Sequence, residues 1–532
     1  MSGLVKTAVK MLFPDHTARG RSVRMITARL GLSQPGGPQG YEAFTRLVEP
    51  MSFFPPLRDS SAGDCPLFSV VVPFYNTPDK YLIPLLDSLA SQSFSDWELL
   101  MGDASTDPTV SRRIRQLAAS DPRFHYLKLS TNGGISRNTN AILTRVSGQF
   151  VVFADHDDTL NRHALNEMAV AIADHPGVGI LYSDEDVLSD DGLVRKGPFF
   201  KPDWSPHMFL EMNYTNHLSV IRRDLIESVG GLQARRDGAQ DYDLLLRIHA
   251  RHHEVGVVHV PKMLYHWREA EHSTARTIST KSYAIDAGRH ALDDYLTSIA
   301  VGHEDADNVP DRPGWYRVRP RRHASVEVIV KVTDDSRLNR QIAQMVRART
   351  HSDWCSVTYT ALAGDEHLLD RVRRSGSDVI VVIRQMALPL TRDWLDDLVG
   401  VTALPHTAAV SPLLLDSSQR WVLNSGWVSD GDGLSALYQG CAVNSGGLAG
   451  PVDLVRDVDG LSNDVLVFAR EHAPAVAQES PVLDARDWAE HALLWGHVRF
   501  QVCPVPSAGG LLNANLRPSG SGVRLQSEIE AK

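Results

Sequence analysis

The chain has 532 residues, 43% hydrophobic and 22% charged, a balance that excludes a wholly disordered chain and a coiled-coil rod. A formal net charge of -10 argues against a broad electropositive face for duplex nucleic acid. Cys65, Cys355, Cys441 and Cys503 are too scattered for a disulfide framework or a zinc ribbon, and no apolar run approaches the ~20 residues of a membrane-spanning helix.

Residues 1–64 read as a helical extension. Leu4, Val5, Ala8, Val9 and Leu12 fall on one side of a helix and Lys6 and Lys10 on the other. Such a segment either docks on the main domain or lies on an anionic membrane surface. No secretory leader is visible, which predicts a cytoplasmic chain. From Phe68 the pattern turns α/β. Strands are expected at 68–73, 97–101, 124–129, 150–154 and 178–183. Helices are expected over 81–89, 135–146 and from Asp158-Thr159 to Ile172. Strands alternating with amphipathic helices predict a mostly parallel sheet covered on both faces, with ligands at the carboxyl ends of the strands. Residues 65–299 form the first domain. Residues 300–324, rich in Asp, Arg, Pro and Gly, read as a linker. An α/β pattern restarts over 325–510, and 511–532 reads as a flexible tail. Ser95-Asp96-Trp97 recurs as Ser352-Asp353-Trp354, each time between a helix and a strand, which points to two related domains in tandem.

The strongest chemical signal is Asp155-His156-Asp157-Asp158, directly after an apolar strand. Three carboxylates in four residues repel one another unless a cation sits among them, and oxygen ligands suit Mg²⁺ or Mn²⁺. A merely structural acidic helix start needs one such acid, not three. Two enzyme classes use the pattern. In haloacid-dehalogenase-like phosphatases, four apolar residues precede D-x-D-x-T, as in Val151 to Thr159. In nucleotide-sugar glycosyltransferases, D-x-D holds a metal–diphosphate. A non-catalytic glycan- or nucleotide-binding scaffold is the alternative from a different class.

The neighbouring segments favour the glycosyltransferase. In order they are Val70-Val-Val-Pro-Phe-Tyr-Asn76, Gly102-Asp-Ala-Ser-Thr-Asp107, Asn132-Gly-Gly-Ile135, the acidic cluster and Tyr182-Ser-Asp-Glu-Asp186. Phe199-Phe-Lys-Pro-Asp-Trp-Ser-Pro206, Gly238-Ala-Gln-Asp-Tyr-Asp-Leu244 and Tyr265-His-Trp-Arg268 follow. Over residues 65–275 the chain resembles the family-2 inverting glycosyltransferases of bacterial surface-polysaccharide synthesis, with a weaker likeness over 325–505. The nearest likeness is to tandem-domain, rhamnosyltransferase-like proteins of O-antigen and capsule clusters. The resemblance implies a GT-A fold, which is Rossmann-like and binds a nucleotide sugar, followed by a degenerate GT-A-like second domain.

It also implies roles. Pro73, Tyr75 and Asn76 line the nucleobase pocket, and Asp103 accepts from the base imide N–H. Asn132, Gly133 and Gly134 let the backbone approach the nucleotide. Asp155 and Asp157 hold the ribose and a Mg²⁺ or Mn²⁺ ion, with His266 as a third metal ligand. Asp184, Glu185, Asp186 and Trp267 lie on the acceptor side. Asp241 is the general base, in a pair whose usual Glu is replaced by Gln240, with Asp243 as a rival. Many relatives carry an Arg where this chain has Thr139, and Arg137 lies on the wrong side of the helix to replace it. The expected partners are a UDP- or dTDP-sugar donor and a growing, lipid-linked glycan at the cytoplasmic face of the inner membrane, without nucleic acid.

Overall fold

The computed structural model describes residues 38–55, 65–269, 282–310, 312–363, 367–429, 433–443, 446–447, 450–451, 455–473, 482–485 and 491–503. The basic segment 1–13, the tail 511–532 and Asp487 lie outside the described residues. The chain divides into two compact units, with the change near Pro320–Arg321.

In the first unit, β1 (Phe68–Phe74) is a run of Phe and Val buried on both faces, which suits the centre of a sheet covered on both sides. It pairs in parallel with β2 (Trp97–Asp103) and β4 (Phe150–Phe153), and β3 (Phe124–Lys128) extends β2. The remaining strands are β5 (Thr159–Leu160), β6 (Val178–Leu188), β7 (Arg195–Phe199), β8 (Ser219–Arg222) and β9 (Gly256–Arg268). The sheet order is β3-β2-β1-β4-β8-β6-β9-β5, with β7 on the side of β6. Its longer helices are α1 (Pro38–Leu47), α2 (Asp79–Ala90), α3 (Pro108–Ala118), α4 (Ile135–Leu143), α5 (Ala164–Asp174), α6 (Gln240–Arg251) and α7 (Ser282–Ser298). Local chemistry sets their starts. At α3, Asp107 accepts the Thr109 N–H at 2.7 Å and Pro108 takes the first turn.

Three expectations change. The sheet is mixed rather than mostly parallel, because β8 pairs antiparallel with β4 and β6, β5 with β9 and β7 with β6. Asp158-Thr159 does not open a helix: Thr159–Leu160 pairs antiparallel with β9, and α5 starts only at Ala164. Residues 300–324 are not a plain linker. β10 (His303–Asn308) and β11 (Tyr316–Pro320) form an antiparallel pair that buries Ala306, Tyr316 and Val318. Alternation of Tyr316 and Val318 with Arg317 and Arg319 is the strand signal that the polar composition obscured.

The second unit contains β12 (Ala324–Val330), β13 (Cys355–Ala361), β14 (Val379–Ile383), β15 (Ala387–Pro389), β16 (Thr407–Leu415) and β17 (Val422–Asn424). β18 (Val465–Ala469) and β19 (His491–Val502) follow. Its sheet runs β13-β12-β14-β18-β16-β19-β15, with β17 beside β16. That path repeats β2-β1-β4-β8-β6-β9-β5 with β7 beside β6, strand for strand in chain order. Pair directions repeat as well: parallel for β12–β13, β12–β14 and β16–β19, antiparallel for β14–β18, β16–β18, β15–β19 and β16–β17. The second domain is therefore a second copy of the same α/β architecture.

Candidate active site

The site assembles at the carboxyl ends of β1, β2 and β4. Past β1, Asn76 adopts a left-handed backbone (φ 49°), a conformation Asn tolerates. Its Oδ1 accepts the N–H groups of Thr106 at 3.0 Å and Asp107 at 3.2 Å, and its own N–H donates to Ser105 Oγ. The β1 end is thereby stitched to the loop after β2. Tyr75 stands 44% exposed beside it, and Pro73 is partly exposed.

Asp103 differs from expectation. Its side chain is wholly buried. Oδ1 accepts Ser105 N–H at 2.8 Å, while Oδ2 accepts Tyr126 OH at 2.8 Å and Lys128 Nζ at 3.1 Å. Burial pushes its pKa up, but hydrogen bonds from Ser111, Ser105 and Tyr126 outweigh burial and leave it below the usual Asp range. No oxygen is exposed for a nucleobase; the carboxylate holds the loop that Asn76 closes.

Asn132, Gly133 and Gly134 lead into α4. Asn132 Oδ1 accepts from Gly134 N–H and Asn138 Nδ2, and Gly133 N–H donates to Asn138 Oδ1. Gly134, at φ 89°, faces Asp237: a Cβ there would lie 2.6 Å from the Asp237 carboxylate, which also accepts Ser136 N–H at 3.3 Å. The close approach here is made by a side chain of the loop that leads to Asp241. Thr139 is buried and Arg137 exposed, so the two do occupy different faces of α4.

Asp155, Asp157 and Asp158 behave as three distinct groups. Asp155 is half exposed, with its oxygen 3.9 Å from His217 Nε2. Asp158 is fully buried, taking Tyr265 OH at 2.6 Å and the Arg268 N–H at 2.7 Å. Burial, then the like charges of Asp157 and Asp155, raise its pKa well above the usual value. Burial likewise raises Asp157, with Asp155 adding to it and His156 opposing. Arg268 Nε donates to the Asp157 carbonyl at 2.7 Å. Crowded carboxylates with raised pKa values, and His156 Nδ1 buried without a hydrogen-bond partner among the described residues, fit a divalent cation as missing counter-charge. Among the described residues no three His, Cys, Asp or Glu side chains gather closely enough to hold a metal ion unaided. The expected trio of Asp155, Asp157 and His266 is therefore not assembled. His266 Nδ1 is bonded to Asp186 at 2.7 Å. A cation here would rest on Asp155 and Asp157 and keep its other positions for water and donor phosphates.

Asp241 is the second residue of α6, whose Tyr242, Leu244, Leu245 and Ile248 are buried. Burial is the main cause of its raised pKa; His217 opposes the shift and Asp155 adds a little. Asp241, His217 and Asp155 therefore share one electrostatic neighbourhood. Asp243 is spoken for: Arg247 Nε donates to it at 2.8 Å, and Arg236 lies 3.9 Å away. Tyr316 of β11 stacks on Tyr242 with centroids 6.0 Å apart, which brings the hairpin onto the base helix.

His217 was not a sequence candidate. It stacks on Tyr265 at 4.9 Å, donates its N–H to Glu185 and receives Lys201 Nζ on its carbonyl at 2.6 Å. A lone His before β8 was the only signal. Of the expected acceptor-side acids, only Glu185 meets this group. Asp184 is buried and accepts His259 Nε2 at 2.8 Å and Lys201 N–H at 2.9 Å; Asp186 is buried against Arg195, Tyr41 and His266. Neither offers a surface to an acceptor. Trp267 packs partly buried against the core.

Residues 69–230 match the family model "Glycosyl transferase family 2". The chain is 40% identical over 232 residues to the uncharacterized protein y4gI of Sinorhizobium fredii, covering 43% of this chain and 25% of that one. It is 38% identical over 288 residues to the O-antigen biosynthesis protein RfbC of Myxococcus xanthus, covering 54% and 22%. The matched part thus spans about a quarter of the length of these relatives. The crystal structure of Staphylococcus aureus TarS 1–349 with UDP-GlcNAc is 22% identical, covers 43% of this chain and 72% of its own, and superposes with a TM-score of 0.33. Through residues 69–230, which include Asp103 and the Asp155–Asp158 cluster, the chain carries a glycosyl transferase family 2 domain.

Proposed function

We propose that this chain is a metal-dependent, inverting hexosyltransferase. It moves a sugar from a UDP- or dTDP-sugar to a hydroxyl of a growing cell-surface glycan. The observation that carries this reading is the shared neighbourhood of Asp241, His217 and Asp155 at the strand ends of a family 2 domain. Exposed Tyr75 offers a face for the nucleobase, with Asn76 and Pro73 beside it. Asp155 and Asp157 hold a Mg²⁺ or Mn²⁺ ion, which when bound stabilises the negative charge of the departing nucleoside diphosphate. Asp241 takes the acceptor hydroxyl proton as that oxygen forms a bond to the anomeric carbon and the bond to the diphosphate breaks on the opposite face. Glu185 and Lys201 hold the His217 backbone, whose ring lies beside Asp155.

RfbC, by name an O-antigen biosynthesis protein, supports a polysaccharide acceptor; its carriage on lipid at the cytoplasmic face of the inner membrane is part of the proposal. No helix among the described residues is long and apolar enough to cross a membrane. Peripheral contact through residues 1–13 is part of this proposal and is tested by flotation with anionic liposomes: deletion of 1–13 abolishes it. The central experiment is a panel of UDP- and dTDP-sugars with Mn²⁺ or Mg²⁺, read by thermal shift and by nucleoside diphosphate release. One donor should raise the melting temperature only with metal, because a ligand that binds only the folded state stabilises it. Absence of release with every donor and acceptor glycan refutes the reading.

A further inference from the structure

The segment before the family 2 domain reaches into its acidic motif. Tyr41 of α1 is buried, and its OH donates to Asp186 Oδ2 at 2.5 Å. Arg195 Nε donates to the same oxygen at 2.6 Å, and the rest of that guanidinium is gripped by buried Glu49, at 2.8 Å through Nη1 and 2.7 Å through Nη2. Phe44 packs edge-on against Phe200 at 5.6 Å, and the Phe54 N–H donates to Glu167 at 2.7 Å. Two donors thus load Asp186 Oδ2, and Oδ1 faces His266 Nδ1 at 2.7 Å.

The donors on Asp186 set the direction of its bond to His266. Arg195 pairs with Asp186 Oδ2 at 2.6 Å and Tyr41 OH donates to the same oxygen, which holds Asp186 as a carboxylate. An ionised carboxylate only accepts, so the shared hydrogen belongs to His266 Nδ1, and Nε2 is the nitrogen left for a ligand or a proton. Among the described residues Nε2 has no hydrogen-bond partner. His266 lies in register with Thr159, the residue after Asp158, so this ring sits on the strand that closes the acidic cluster. A carboxylate that orients one histidine nitrogen and leaves the other as a ligand or proton acceptor is a recurrent outer-shell device.

We propose that residues 41–49 are a positioning strap of the active site: Tyr41 directly, and Glu49 through Arg195, fix the Asp186 carboxylate, which holds His266 in the tautomer with a free Nε2. The activity arm of the test rests on the transferase reading; the tautomer arm does not.

The experiment uses the full chain labelled with ¹⁵N at histidine, without substrate or metal, with the His266 ring signals assigned against His266→Gln. The wild type gives the Nδ1–H tautomer. Tyr41→Phe shifts the ring signals towards a mixture, lowers kcat about tenfold, the scale of an outer-shell loss, and leaves the donor KM unchanged. In a His266→Gln background Tyr41→Phe costs nothing further, because residues acting through one group are non-additive. Should Tyr41→Phe fail to fold, Glu49→Gln is read in the same way. Unchanged ring signals in both variants, or multiplicative losses in the double variant, overturn the strap. A wild type with the Nδ1–H tautomer but no turnover refutes the transferase reading alone.

Discussion

Two acids open α6, and their surroundings separate them. Asp243 is an ion-pair partner of Arg247, whereas Asp241 receives one hydrogen bond from the Tyr242 N–H and shares its field with His217 and Asp155. A base must be ionised to work, and burial raises the pKa of Asp241, so kcat should fall as pH drops through a value above the usual Asp range. Asp241→Asn should abolish that acidic limb and lower kcat on the order of 10²–10⁴-fold, with donor affinity retained. A pH–rate profile of both proteins checks this, and near-normal turnover by the variant would shift the base elsewhere. His217 lowers the Asp241 pKa, so His217→Gln should move the limb to higher pH. Much of this was legible: an apolar strand running into Asp155-His156-Asp157-Asp158 announces a strand-end acidic site. Asp184 and Asp186 were not legible, because their partners His259, Tyr41 and His266 come from distant segments and Arg195 meets Asp186 only across the β6–β7 pair. Strand alternation tells which face an acid takes and not what waits there.

Among elements, the loop before α6 and the N-terminus of α4 are locked by one contact. Gly134 is the residue before α4 and has no side chain to cap it; Asp237 supplies the carboxylate from the other loop. Gly134→Ala adds a Cβ 2.6 Å from that carboxylate in a backbone region only glycine adopts easily. The expected loss is about 1–3 kcal/mol of stability, read as a lower denaturant midpoint with unchanged slope. An unchanged midpoint would mean that the two loops move freely. The sequence announced the turn at Asn132-Gly133-Gly134 and assigned its openness to a nucleotide, since nothing local reveals a residue a hundred positions on. The same limit explains β5: Thr159-Leu160 follows an acidic cluster that reads as a helix start, and only its pairing with Tyr265 and His266 makes it a strand.

At the scale of the molecule, the two units repeat one sheet path and differ in what ends their strands. In the first, the β1–β2 ladder ends on Phe74 opposite Asp103; in the second, the β12–β13 ladder ends on Val330 opposite Ala361. Aligning Trp354 with Trp97 through the Ser-Asp-Trp echo places Thr360 opposite Asp103, one residue short of the ladder's end, and Thr360 hydrogen-bonds buried Glu327. Past β4 and Ala154 come Asp155-His156-Asp157-Asp158, whereas the three residues after β14 are Arg384-Gln385-Met386, none of them a carboxylate. A segment without a carboxylate cannot supply the two anionic oxygen ligands a hard cation takes, and the Arg384 guanidinium repels it. The apolar strands persist, with Val379–Ile383 wholly buried, so the architecture outlasts the chemistry. We therefore propose that the second unit is a degenerate copy without transferase activity. Asp155→Ala with Asp157→Ala in the full chain should then eliminate transfer and metal-dependent donor binding together, while circular dichroism and the melting transition of the second unit persist. Residual transfer well above background would mean that the second copy keeps a working site, and its donor would have to be held without a strand-end carboxylate pair.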